Sequence, residues 1–82
     1  MYYTYILFSS MLNRFYIGST KDVISRLESH LNNHKGFTSK AKDWQLLHQE
    51  RFKTRTDAVR REMEIKRWKS RVMIEKLIAK GD

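Results

Sequence analysis

Residues 2–18 read YYTYILFSSMLNRFYIG, two apolar and aromatic runs joined by a polar connection. The first run, Tyr2 to Phe8, predicts a buried strand because aromatic and β-branched side chains fill a pleated surface well. Ser9 to Arg14 predicts a turn, and Phe15 to Gly18 predicts a second strand. Because the connection is short, an antiparallel hairpin is the most economical pairing of the two.

A helix is predicted after this hairpin, from about Val23 to His34, with Asp22 as its cap and Gly36 able to close it. Its apolar residues recur at the i, i+4 and i+8 positions of one face. The segment Phe37 to Asp43 is predicted to be a polar connection.

The rest of the chain predicts one more strand and two more helices. Trp44 to Phe52 alternates enough apolar residues for a strand, and a second helix is expected to start at Thr56 or Asp57. Ser70 predicts a break before a final helix. The expected fold is therefore an α/β (α+β) sandwich, with three strands covered by about three helices.

Composition predicts one small globular domain spanning residues 1–82. The chain is 40% apolar and 32% charged, too apolar for a disordered tail and too charged for a membrane span. No signal peptide is recognisable at the start, which predicts a cytoplasmic protein. The absence of cysteine excludes disulfides and zinc sites built on thiolates.

The charge balance indicates a polyanionic partner. The formal net charge is +8, and residues 51–71 hold nine basic and three acidic residues. Such a surface is typical of nucleic-acid binding, although a basic run taken alone more often serves solubility.

Residues suited to phosphodiester chemistry follow one another along the chain. They are Tyr5, Tyr16, Gly18, Lys21, Arg26, His30 and Glu62. Cleavage of a phosphodiester requires an activated water, a divalent ion and cations that neutralise the phosphate. This ordered set, quoted as Tyr3-Thr4-Tyr5, Tyr16-Ile17-Gly18 and Glu62-Met63-Glu64-Ile65-Lys66, resembles the GIY-YIG nuclease family.

The resemblance implies a small stand-alone nuclease with an antiparallel sheet. Of the quoted motifs, only the first departs from the family's pattern, since Tyr3 and Thr4 occupy the places of glycine and isoleucine. The resemblance implies that one phenol takes the proton of the attacking water while the other contacts the phosphate or the hydration shell of the metal. A phenol ionises near pH ~10, so neighbouring cations must favour its ionised form. The sequence favours Tyr16 over Tyr5 as the base without deciding between them.

Arg26 and His30 are four residues apart and therefore share one side of the first helix. In the family the matching arginine stabilises the charge of the transition state, and His30 either assists or completes the helix packing. Gly18 either lets a phosphate approach the backbone or simply makes a turn. His34 and His48 match no motif and are interpreted as surface residues.

Glu62 is expected to face inward, because ~100° per residue places it between Ala58 and Val59, whereas Glu64 faces solvent. A carboxylate on an apolar stripe needs a cation or a metal as its partner. The sequence therefore allows two interpretations of Glu62, a salt bridge to Lys66 or a metal site. The family's metal-binding glutamate lies in the same motif, and a single carboxylate suits Mg²⁺ (or Mn²⁺). The predicted partner is a nucleic acid, and DNA is favoured over RNA. The remaining residues predicted to contact it are Lys21, Arg60, Arg61, Lys66 and Lys69.

Two alternatives stay open. The first alternative is a nucleic-acid-binding module without catalysis, because the family's late asparagine has no counterpart after Lys69. A domain whose charge serves only solubility is the other. Targeting would require recognition of substrate structure, a partner protein or a homodimer.

Overall fold

The predicted hairpin is present and supplies two of the three strands of the sheet. The structure is a computed structural model and describes residues 1–32 and 36–80. The strands are β1 (Tyr2–Ser9), β2 (Arg14–Thr20) and β3 (Gln45–Phe52). The helices are α1 (Val23–Asn32), α2 (Arg55–Trp68) and α3 (Arg71–Ala79), and a short 3₁₀ helix spans Phe37–Lys40. The predicted α/β class, with three antiparallel strands and three α-helices, is confirmed.

The sheet has the order β2-β1-β3, and both pairings are antiparallel. Tyr5 lies opposite Gly18 across the hairpin, and Leu7 lies opposite Tyr16. Successive side chains of a strand point to opposite faces, so these four residues share one face of the sheet. The register therefore places both predicted phenols side by side.

Each face of the sheet packs against its own helices. Tyr5 and Leu7 form a buried cluster with Trp44, and Leu27 and Leu31 of α1 pack against it. Ile6, on the other face, is buried with Ile65 of α2 and Ile74 of α3. The sheet is thus the middle layer of three, which is the predicted sandwich.

The connection after α1 differs from the prediction. Phe37–Lys40 forms a 3₁₀ helix, preceded by Gly36 at a φ of 86°. The predicted end of α1 at His34 falls outside the described residues, as does any closing contact of Gly36 with residues 33–35.

The second helix begins one or two residues before the predicted start. The hydroxyl of Thr54 accepts a hydrogen bond from the backbone N–H of Asp57 at 3.2 Å, which makes Thr54 the cap and Arg55 the first helical residue. The predicted break at Ser70 is confirmed, since Ser70 caps α3 through Met73 after Lys69 turns the chain with a φ of 48°. Within the described residues, none of the helices combines the length and apolar character needed to cross a bilayer.

Candidate active site

Tyr5 is the buried centre of the site, with 1% of its surface exposed. Its ring lies directly against Gly18, where an added Cβ would come within 2.5 Å of the hydroxyl oxygen and 2.7 Å of Cζ. The close approach that Gly18 permits here is that of a tyrosine ring. The predicted approach of a phosphate to Gly18 stays a prediction.

The hydroxyl of Tyr5 connects helix α1 to the sheet. It lies 2.9 Å from Nε2 of His30, which is 4% exposed, and within hydrogen-bonding reach of the Arg26 side chain. A guanidinium can only donate, so the phenol proton is best placed towards His30. That arrangement makes Nε2 of His30 an acceptor and the imidazole neutral.

The pKa shifts agree with this assignment. Burial raises the pKa of Tyr5 to about 12, against the opposing effect of Arg26, so its hydroxyl stays protonated at neutral pH. Burial, and then the charge of Arg26, lower the pKa of His30 below its usual 6.5. Hydrogen bonding to Tyr5 in turn raises the pKa of Arg26, which stays charged.

Tyr16 is the second phenol of the site and is less buried than Tyr5. Its ring packs edge-on against His30 with centroids 4.6 Å apart, and lies 6.3 Å from the ring of Tyr5. The Arg26 side chain is within hydrogen-bonding reach of its hydroxyl. We call Tyr5, Tyr16, Arg26 and His30 the tyrosine cluster.

Glu62 lies on α2 with its side chain 18% exposed, whereas that of Glu64 is 56% exposed. The structure therefore gives Glu62 the inward direction expected of it. Its Oε2 accepts a hydrogen bond from Nζ of Lys66 at 2.6 Å, so the predicted salt bridge is present. Glu62 is also near enough for its charge to contribute to the raised pKa of Tyr5.

A divalent ion at this site would depend on that one carboxylate. Among the described residues, no group of three or more His, Cys, Asp or Glu side chains is placed to hold a metal. Glu62 fits a role as sole protein ligand, because Lys66 fixes one carboxylate oxygen and Mg²⁺ usually keeps several of its waters. The oxygen chemistry suits Mg²⁺ or Mn²⁺ rather than a soft metal.

A cleft of about 460 Å³ opens beside the tyrosine cluster. Three cations line it, Lys21, Arg26 and Arg55, and we call it the basic cleft. Arg26 belongs to both the cleft and the cluster. Sequence reasoning missed Arg55, although its spacing from Ala58 and Glu62 at i, i+3 and i+7 could have placed it on the same helix face.

The other predicted contact residues lie elsewhere or are already engaged. Nε of Arg61 lies 2.9 Å from Glu50, and its Nη1 lies 2.6 Å from Glu64. Arg60 and Lys69 line two further grooves, neither of which includes Arg26. The structure therefore places Lys21 in the basic cleft with Arg26, whereas Arg60, Arg61 and Lys69 line other grooves.

The interpretation of His48 as a surface residue is wrong. Its side chain is 7% exposed, and its Nε2 lies 2.8 Å from Oε2 of Glu50. Glu50 also holds Arg61, so the network fastens β3 to α2. Alternation along β3 could have shown that His48 and Glu50 point to the same face. His34 lies outside the described residues.

The sheet and the helices on its two faces form a small α/β domain. Residues 1–76 match the family model of the GIY-YIG catalytic domain, and the chain belongs to that family. No curated protein and no solved structure matches the chain. Membership implies a nucleic acid as substrate, and nucleases of this family typically depend on divalent metals.

Proposed function

We propose that this chain, as a single domain over residues 1–82, is an endonuclease that hydrolyses phosphodiesters in DNA with one divalent ion. The observation that carries the proposal is the meeting of Tyr5, Tyr16, Arg26 and His30 in one cluster, with Glu62 near enough to influence Tyr5. These side chains come from two strands and two helices. An arrangement gathered from four elements is well explained by a shared chemical task.

Tyr16 is the phenol that we assign to the attacking water. Tyr5 is 1% exposed and its pKa is about 12, so it is a poor proton acceptor at neutral pH. Tyr16 is more accessible, and Arg26 reaches its hydroxyl. Tyr5 then acts as a positioning residue, which holds His30 and Arg26 in place.

Arg26 is the residue that we assign to the charge of the transition state. It borders both phenols at the edge of the basic cleft, so a scissile phosphate beside the phenols would meet its guanidinium. A guanidinium can bind two phosphate oxygens with parallel donors. Lys21 lines the same cleft and would add charge.

Glu62 would hold the metal, and Lys66 would orient its carboxylate. A bound Mg²⁺ or Mn²⁺ would lower the pKa of a coordinated water and stabilise negative charge on the phosphate. His30, neutral and hydrogen-bonded to Tyr5, would maintain the geometry of the cluster.

A cleavage screen tests the proposal. Labelled DNA and RNA in duplex, branched and single-stranded forms are incubated with Mg²⁺ or Mn²⁺, beside the Tyr16→Phe and Arg26→Lys variants. We expect cleavage of at least one DNA form by the wild type, and strongly reduced cleavage by both variants. Cleavage by Tyr16→Phe at the wild-type rate would remove Tyr16 from the role of base.

The binding module without catalysis is the second candidate, favoured by the altered first motif at Tyr3 and Thr4. It predicts binding that weakens steeply with salt and no product from any substrate, even with Mn²⁺. The same screen, read for binding as well as for product, separates the two functions.

A further inference from the structure

The basic cleft has the lining of an anion site. Besides its three cations, its lining residues are neutral: Tyr2, Ser19, Thr20 and Ala58. No described aspartate or glutamate lines it. Its volume of about 460 Å³ lies within the ~300–1,000 Å³ common for small-ligand sites.

Arg55 is the cation of the basic cleft to which the proposed nuclease mechanism assigns no role. Within residues 1–32 and 36–80, it has no ion-pair or hydrogen-bond partner through its side chain. Arg61 and Arg71 differ, because carboxylates of Glu50, Glu64 and Glu75 bind their guanidinium groups. The charge of Arg55 is therefore available to a ligand.

The basic cleft lies next to the residues that we assign to phosphodiester cleavage. Arg26 lines the cleft and also reaches both phenols, so the cleft adjoins the tyrosine cluster. On α2, Ala58 lines the cleft one turn before Glu62. A nucleic-acid strand carries a phosphate at every nucleotide, so a strand with one phosphate at Arg26 and Glu62 brings a neighbouring phosphate to the cleft.

We propose that the basic cleft binds the phosphate next to the scissile one, with Arg55 as its principal ligand. This inference rests on the proposed nuclease function, because it assumes where the scissile phosphate lies. Arg55 holds the strand in register and takes no part in bond breaking. The substrate recognised in this way is any strand with two consecutive phosphates.

The test uses deoxythymidine 3′,5′-bisphosphate and deoxythymidine 5′-monophosphate as probes, titrated into the full chain and followed by ¹H–¹⁵N NMR in EDTA. Without metal, no cleavage can interfere. We expect the wild type to bind the bisphosphate about tenfold more tightly than the monophosphate, because the second phosphate gains a charge-assisted hydrogen bond. In Arg55→Gln this advantage falls to within about twofold.

Arg67→Gln is the matched control, since Arg67 lies on the same helix and lines a different groove. It should keep the full advantage, and Arg55→Lys, which keeps the charge but loses the two-donor fork, should fall between. The inference is overturned if the wild type shows no preference for the bisphosphate, if Arg55→Gln keeps the preference, or if Arg67→Gln loses it equally. Absence of cleavage in the separate screen would reject the nuclease function and leave this result standing.

Discussion

At the scale of single residues, the site depends on a phenol pressed against a glycine. Tyr5 occupies the space that a side chain at Gly18 would need, while its hydroxyl lies 2.9 Å from Nε2 of His30 and within hydrogen-bonding reach of Arg26. The ring cannot move aside without breaking these contacts. The contact between Tyr5 and Gly18 therefore contributes to the packing of the core and to the geometry of the proposed site.

Gly18→Ala should destabilise the fold by about 1–3 kcal/mol, the usual cost of overpacking a core. Its φ is not positive, so the cost comes from the clash and not from backbone strain. Urea unfolding of Gly18→Ala, alone and combined with Tyr5→Phe, measures it. Removing the hydroxyl relieves the nearest contact, so the effects of the two changes should not add. A Gly18→Ala protein as stable as the wild type would show that the ring is not confined.

His30 should make the stability depend on pH. Its pKa is lowered in the folded protein, so the unfolded chain binds the proton more readily and stability falls as the pH drops below about 6.5. The shifted carboxylates, Asp43 and Glu50, have lowered pKa values and titrate below this range. Unfolding free energies measured between pH 7 and pH 5 should fall for the wild type and change less for His30→Gln. Equal slopes for the two proteins would contradict a neutral, buried His30.

At the scale of elements, the helix that carries Glu62 and Arg55 depends on its first turn. Thr54→Ala removes the side-chain acceptor of the Asp57 N–H and should cost about 1 kcal/mol. Thr56→Ala is the control, because Thr56 is exposed in the same turn and is not the cap. Thermal or urea unfolding of both variants checks this. Equal losses would show that Thr54 is not the cap.

The elements themselves were largely predictable from the sequence, because long apolar patterns mark strands and helices. The ends of β2 were not, since Arg14, Ser19 and Thr20 pair through backbone groups that side-chain patterns do not report. The 3₁₀ helix of Phe37–Lys40 is too short to show a period. The start of α2 was misplaced because Thr54, Thr56 and Asp57 can each cap a helix.

At the scale of the whole molecule, the sequence predicted which polar residues could form a site. It did not predict which cations are bound by carboxylates and which remain available to a ligand. Nothing local shows that Arg61 is bound by Glu50, eleven residues away, while Arg55 has no such partner in the described part of the chain. The grouping of Tyr16 with His30 and Arg26 depends on packing between layers. The spacing of residues along the chain does not predict long-range contacts of this kind.

The measurement that tests the account most directly compares Glu62→Gln with Glu64→Gln, two equivalent changes on one helix. We measure the cleavage rate of the best substrate over a range of Mg²⁺ concentrations. The account predicts that Glu62→Gln remains folded but cleaves roughly 100-fold or more slowly. Glu64, exposed and bound to Arg61, should tolerate the change at nearly the wild-type rate. Cleavage by Glu62→Gln as fast as by Glu64→Gln, at every Mg²⁺ concentration, would contradict the account.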